Sequence, residues 1–172
     1  QYLLKRGKID VYYGIGRMLG PSIFSPLAGT ISVERENGES EILQPKFVIL
    51  ATGSRPRTLP GLEIDGETIL TSEEALEMKQ LPKSLLIIGG EAIGIEWASM
   101  LADFDVKVTV VEHADRILPA EEEEISREMA RILKKKGVHV FTGASIEPAS
   151  IRKEKEVSLE IGVQGKKQKL QA

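Results

Sequence analysis

Residues 84–96 read Ser-Leu-Leu-Ile-Ile-Gly-Gly-Glu-Ala-Ile-Gly-Ile-Glu, and no other stretch restricts the fold as much. A run of apolar, partly β-branched residues suits a strand buried on both faces. It breaks into glycines and then resumes with helical spacing through Ile93, Gly94, Ile95, Glu96, Trp97, Ala98, Ser99, Met100 and Leu101. Strand, glycine turn and helix in that order is the setting in which a dinucleotide phosphate is held. Laid from Gly89, the pattern G-x-G-x-x-G finds Gly94 in its sixth place but Glu91 in its third.

The following sequence keeps to the same plan. Val106–Glu112 is a mostly apolar strand suited to a parallel sheet. Glu121–Lys136 is a helix with Ile125, Met129, Ile132 and Leu133 on its apolar stripe, glutamates in its first turn, lysines in its last and Gly137 as its stop. Val138–Phe141 is a third strand. The order β-α-β-α-β makes one mononucleotide-binding half of a Rossmann fold. Gly89 turns the chain off the strand, and Gly94 lets the helix pack close to the sheet. The helix N-terminus offers N–H groups and partial positive charge to a pyrophosphate. Glu112, 18 residues after Gly94, is placed to accept hydrogen bonds from ribose hydroxyls and to repel a 2′-phosphate, which favours NAD over NADP. Glu91 works against the site. A like charge a few ångström from the phosphates costs about 1–4 kcal/mol at effective dielectrics of roughly 20–80, so weakened NAD binding is expected.

Before the glycine turn, Gln1–Lys5 reads as a helix end closed by Gly7, and Lys8–Tyr13 as a short strand ended by Gly14-Ile15-Gly16. Gly20-Pro21 marks a turn. Thr30–Glu34 and Ser40–Gln44 alternate as antiparallel strands around the hairpin turn Glu36-Asn37-Gly38-Glu39. Lys46–Ala51 reads as a buried strand running into Thr52-Gly53-Ser54. Breakers from Arg55 to Gly66 mark a domain boundary, and Thr71 with Glu74 forms a capping box for a helix. After the third strand, 157–161 and 168–170 alternate as antiparallel strands joined near Gly165.

Composition narrows the chemistry. With 172 residues and 41% hydrophobic content the chain can bury a real core. A net charge of −3 argues against a nucleic-acid partner. The absence of cysteine excludes a disulfide framework, a thiolate metal site and any thiol step carried by this chain. Without an apolar run of roughly 18 residues or a signal-peptide pattern, a cytoplasmic location is the default expectation. Acidic metal binding by Glu121–Glu124 is a poorer account than a solvated helix start.

Three stretches together resemble the flavoprotein disulfide reductases: Ile49-Leu50-Ala51-Thr52-Gly53-Ser54-Arg55-Pro56, the glycine turn with Ile93-Gly94-Ile95-Glu96-Trp97-Ala98-Ser99, and Val108–Glu112 running into Arg116-Ile117-Leu118-Pro119. The resemblance implies an α/β fold, with Rossmann-like FAD- and NAD-binding domains built on a parallel sheet plus β-meander and hairpin segments. Residues 1–70 would be the later part of an FAD domain, with Gly16, Thr52, Gly53 and Ser54 facing FAD. Residues 71–172 would be an NAD domain, cut short at its end. There Gly89, Gly90, Glu91, Ala92, Ile93 and Gly94 would line the pyrophosphate. Ile93 and Glu96 would lie by the nicotinamide, Glu112 would hold the adenosine ribose and Ile146 would pack on the adenine side.

The resemblance further implies that dithiol electrons pass through a cysteine pair and FAD to NAD⁺, and that the protein is a homo-oligomer. In the full-length protein the lipoyl domain of a 2-oxo acid dehydrogenase complex would be its partner. The cysteine pair and the His-Glu acid/base pair of that family match nothing here; His113 and His139 occupy no catalytic position. Asp105 stands where the family has a glycine before the second strand, a place whose turn conformation Asp tolerates. Two other readings stand beside this one: a related mercuric, glutathione or coenzyme-A-disulfide reductase, and a non-catalytic module that self-associates through unpaired strand edges.

Overall fold

A computed structural model of the chain describes residues 2–20 and 29–172. Their elements are, in order, α1 (Tyr2–Arg6), β1 (Ile15–Leu19), β2 (Thr30–Glu34), β3 (Ser40–Leu43), α2 (Ser72–Ala75), β4 (Ser84–Ile88), α3 (Ala92–Asp103), β5 (Lys107–Val111), α4 (Glu123–Lys135), β6 (His139–Phe141), β7 (Ala144–Lys153), β8 (Val157–Val163) and β9 (Lys166–Gln171). The chain divides into two compact units, Gln1–Ser54 and Arg55–Ala172.

The first unit is built on an antiparallel sheet of order β1-β2-β3. The hairpin at Asn37-Gly38 forms as the sequence predicts. Gly38 takes a φ of +82°, and Arg35 N closes the turn by donating to Glu39 O at 2.8 Å. Two expected strands are absent. Lys8–Tyr13 and Lys46–Ala51 carry no ladder, and Phe47 and Ile49 are 91% and 90% exposed. A strand exists only in a pair, and no neighbouring strand among the described residues offers these runs a register. Gly14 and Gly16 accordingly do not end a strand; Gly16 lies inside β1, opposite Val33. The helix α1 is closed not by Gly7 but by Lys8, the residue at φ +54°. The turn expected at Gly20-Pro21 runs into 21–28, outside the described residues.

The second unit has three layers. Parallel strands β4-β5-β6 form its middle, in register Ile87↔Val110 and Val110↔Val140. Side chains of a strand alternate between its faces, and here both faces are covered. Val108 and Val110, with Leu85, Ile87 and Val140, pack on Ile95, Ala98 and Leu101 of α3 and Leu133 of α4. Val111, with Leu86, Ile88 and Phe141, packs on Ala144, Ile146, Leu159 and Ile161 of a second, antiparallel sheet β7-β8-β9. The central strand β5 therefore buries Val108, Val110 and Val111 almost completely, whereas β4, at the sheet edge, is covered on both faces but only half-buried. The long strand β7 carries a register break between Glu147 and Arg152. Pro148 sits in that break; it interrupts the alternation that would have revealed β7 in the sequence.

Three further local readings are sharpened. Thr71 caps α2 with a reciprocal bond from its N–H to Glu74 Oε2 at 2.7 Å, so the capping box is real, although α2 is a single turn. Asp105 has φ +61°, the left-handed conformation that a short polar side chain tolerates. The buried stripe of α4 is displaced: Ile125 is 52% exposed, while Ser126 is 2% exposed and Met129, Ala130 and Leu133 pack inward.

Candidate functional site

The carboxyl ends of β4 and β5 meet at the glycine turn. Gly89 N donates to Val111 O at 2.9 Å, which continues the ladder to the edge of the turn. Gly89 then takes φ +112°, a conformation that other residues adopt only with strain. Gly94, in the first turn of α3, sits so close beneath it that a Cβ would lie 2.1 Å from Gly89 O. Both glycines are therefore required, one by conformation and one by space, and α3 starts directly over the strand end.

The first α-helical bond of this turn runs from Ile95 N to Glu91 O at 3.0 Å. The N–H groups of Ala92, Ile93 and Gly94 come before it and have no intrahelical acceptor. Ala92 and Ile93 are exposed. Their N–H groups and the helix dipole make a favourable place for an anion. Glu91 is the N-cap residue, with φ −80° and ψ 179°. Any residue adopts that backbone, so the glycine expected in the third motif place is not needed for conformation. The Glu91 side chain caps nothing and is exposed. Glu91 therefore does not distort the turn, and what it adds beside the helix N-terminus is a negative charge.

Glu112 lies across the turn and is 8% exposed. Its Oε2 accepts from Gly90 N at 2.5 Å and its Oε1 from Ala114 N at 2.6 Å. Each carboxylate oxygen retains a second lone pair, so the group remains able to accept from a ribose hydroxyl. The loop beyond it is braced by Arg116, whose Nη2 donates to Pro119 O at 3.0 Å while its Nε is buried without a partner. His113 holds the loop to β7, with Nδ1 3.3 Å from Ala144 O. His139 lies exposed on β6.

The structure thus brings together Gly89, Gly90, Glu91, Ala92, Ile93, Gly94 and Glu112. Glu96 is exposed one turn further along α3. Ile146 belongs to β7 and is partly buried against the core between the sheets. Gly16 and the irregular segment Thr52-Gly53-Ser54 are exposed parts of the first unit. Sequence reasoning overlooked Ser126 and Leu118, which hold the loop beside the turn. The signal for Ser126 was its spacing: it lies seven residues before Leu133, on the buried stripe, but a serine there reads as polar surface. Among the described residues no cluster of His, Asp and Glu could hold a metal ion, and no helix is long and apolar enough to cross a membrane.

A glycine turn, free helix N–H groups and a strand-end carboxylate are the donors and acceptor a dinucleotide takes. A family model described as pyridine nucleotide-disulphide oxidoreductase matches residues 12–172. The chain is 63% identical over 167 residues to a dihydrolipoyl dehydrogenase of Bacillus subtilis, covering 96% of this chain and 35% of the relative. It is 42% identical over 164 residues to a dihydrolipoyl dehydrogenase of Chlorobaculum tepidum, covering 95% and 33%. The chain therefore spans about a third of the length of these curated relatives. Among solved structures, LpdA of Mycobacterium tuberculosis superposes with a TM-score of 0.72 at 27% identity, over 98% of this chain and 36% of that one. An NAD-dependent persulfide reductase from A. fulgidus superposes with a TM-score of 0.62 at 28% identity, over 96% and 31%.

Proposed function

Since the chain belongs to the pyridine nucleotide-disulphide oxidoreductase family, we propose that it is the central part of an FAD-dependent dihydrolipoyl dehydrogenase and supplies that enzyme's NAD-binding domain. The observation that carries the reading is the pairing of the glycine turn with the buried Glu112 carboxylate, 2.5 Å from Gly90 N. The overall reaction is dihydrolipoamide + NAD⁺ → lipoamide + NADH + H⁺, in which bound NAD⁺ supplies the hydride acceptor. This chain's residues bind and orient. Ala92, Ile93 and Gly94 present N–H groups to the pyrophosphate. With NAD bound, Glu112 would accept from the adenosine ribose, Ile93 and Glu96 would be the residues by the nicotinamide, and Ile146 would be the residue on the adenine side. Residues 71–172 form this domain. Residues 1–70 belong to the FAD domain, with Gly16, Thr52, Gly53 and Ser54 on the FAD side.

Several features support the assignment of roles between this part and the whole. The chain has no cysteine, so the dithiol step falls to other residues and the chain does not turn over by itself. The apolar runs at Lys8–Tyr13 and Lys46–Ala51, which carry no ladder here, would become strands on pairing with a larger FAD sheet. The exposed edge of β4 is where a fourth parallel strand would join in the order typical of this fold. In isolation these faces promote self-association; a strictly monomeric light-scattering profile at high concentration contradicts this. The whole enzyme is a homo-oligomer that receives electrons from the lipoyl domain of a 2-oxo acid dehydrogenase complex.

Glu91 weakens the site. Titration calorimetry with NAD tests both statements at once. The unchanged chain binds weakly, and Glu91→Gly binds at least about fivefold more tightly, the smaller end of the charge penalty. Micromolar affinity in the unchanged chain overturns the impairment. Absence of binding in Glu91→Gly overturns the NAD site itself.

A further inference from the structure

Gly90 is buried, and both of its backbone polar groups are satisfied from one place. Its N–H donates to Glu112 Oε2 at 2.5 Å, and its carbonyl accepts from Leu118 N at 2.8 Å. A Cβ at residue 90 would lie 2.9 Å from Ile117 Cγ2 and 3.1 Å from Glu112 Cβ. Both ends of the loop after β5, Glu112 and Ile117-Leu118, therefore press against Gly90.

That loop is held in turn. Glu112 N donates to Phe141 O at 2.8 Å and Ala144 N to Glu112 O at 3.0 Å, which fixes the strand end. Gly143 N donates to Ala114 O at 2.6 Å. Leu118 is 7% exposed with φ +48°, a conformation a leucine keeps only where its surroundings impose it. Its own backbone is tied on both sides, by Leu118 N to Gly90 O at 2.8 Å and by Glu121 N to Leu118 O at 3.0 Å, and from α4 the Ser126 hydroxyl donates to the adjoining Ile117 O at 2.6 Å from a position 2% exposed.

We propose that the loop 112–118 is a template that sets the shape of the dinucleotide turn, with the Glu112 carboxylate as its clamp and Ser126, on the second helix, as a positioning residue for it. The proposal rests on the NAD reading of the turn and deepens it. One carboxylate then both selects the coenzyme and shapes the loop that holds its phosphates. Replacing Glu112 to admit a 2′-phosphate does not exchange NAD for NADP; it removes the clamp and weakens both. Glutamine at that position can accept one N–H but turns its own NH₂ toward the other donor.

Amide hydrogen exchange on the ligand-free 172-residue chain tests this, with Glu112→Gln and Ser126→Ala compared to the unchanged protein. Alanine suits a helix interior, so Ser126→Ala keeps α4. The expected result is exchange at the Gly90 amide at least tenfold faster in both variants, with Leu159 and Ile161 in β8 unchanged. NAD titrated into a Glu91→Gly background should lose at least fivefold in affinity on adding Ser126→Ala, and NADP should gain nothing from Glu112→Gln. Unchanged Gly90 protection in Glu112→Gln overturns the clamp. Protection falling equally in β8 overturns it too, since that marks a loosened domain rather than a released turn. If the Glu91→Gly chain fails to bind NAD while the Gly90 effect appears, the coenzyme reading fails and the clamp stands. If NAD binds and the Gly90 effect is missing, only the clamp fails.

Discussion

Lys46–Ala51 and Ser84–Ile88 are nearly the same sentence in sequence: an apolar, β-branched run that ends on a glycine turn. In the structure they differ completely. Ser84–Ile88 pairs in parallel with β5 and packs α3 on one face and the β7-β8-β9 sheet on the other. Lys46–Ala51 has no ladder, and Phe47, Ile49 and Leu50 are 91%, 90% and 69% exposed. The difference teaches that an apolar run states an affinity for a sheet, while the sheet itself must come from elsewhere in the chain. The second run finds its partner about twenty residues on, across one helix. For the first, no partner lies among the described residues.

The comparison breaks most directly at equivalent isoleucines. Ile87→Ala deletes a side chain packed on the helix-side core and should lower stability by about 2 kcal/mol, the lower end for such truncations because β4 is half-buried. Ile49→Ala should change it by no more than about 0.5 kcal/mol. Urea midpoints of the two variants check this, and a cost at Ile49 comparable to that at Ile87 would show that the first run is packed after all. The glycines after each run sharpen the point. Gly94→Ala forces a methyl to within 2.1 Å of Gly89 O and should cost about 1–3 kcal/mol, as overpacking does. Gly53 has φ +82° with nothing near its would-be Cβ, so Gly53→Ala should cost only the left-handed strain, about 1–2 kcal/mol. Thermal midpoints of the two alanine variants should fall in that order, with Gly94→Ala alone also lowering protection of the neighbouring Gly89 and Gly90 amides.

How much of this was legible follows from the same contrast. The β-α-β-α-β order, the hairpin at Asn37-Gly38, the capping box at Thr71 and the left-handed tolerance of Asp105 are local signals, and they appear in the structure as read. The separate strands at Lys8–Tyr13 and Lys46–Ala51 do not, because pairing is not local. β7 was hidden because Pro148 and the register break at 147–152 scramble its alternation. In the site, Gly89, Gly94 and Glu112 were readable because each has its own chemical reason. The bond that Glu112 accepts from Gly90 N was not, since it depends on a contact between residues 22 apart in sequence. Nor was Ser126, whose hydroxyl matters only because Ile117 O lies 2.6 Å away inside the core. Glu91 was expected to weaken NAD binding by its charge and bulk; its extended backbone shows that the turn itself accommodates it.

The smallest test concerns two stretches that both lack regular structure. Lys46–Ser54 is exposed apart from the half-buried Val48, whereas 61–69 is tied to β7. A Cβ on Gly61 would lie 3.0 Å from Pro148 Cβ, and Asp65 Oδ2 pairs with Lys153 Nζ at 2.5 Å. Asp65 Oδ1 also accepts the N–H groups of Glu67, Thr68 and Ile69 at 3.0, 2.7 and 2.8 Å. The Lys153 ammonium, and after it these three N–H groups, hold the Asp65 carboxyl well below its ordinary value of 3.8. A carboxyl with a depressed folded value takes up protons more readily in the unfolded chain. The tie therefore contributes in full above pH 3.8, and its contribution declines as the pH falls further. The midpoint difference between the unchanged chain and Asp65→Asn should be steady from pH 7 to pH 5 and should narrow steadily below about pH 4. The effect is small because the pair is solvent-screened, but its direction is fixed: a gap that widens on acidification would mean that the carboxylate does not anchor this stretch, and that its order comes from Gly61 and Pro148 alone.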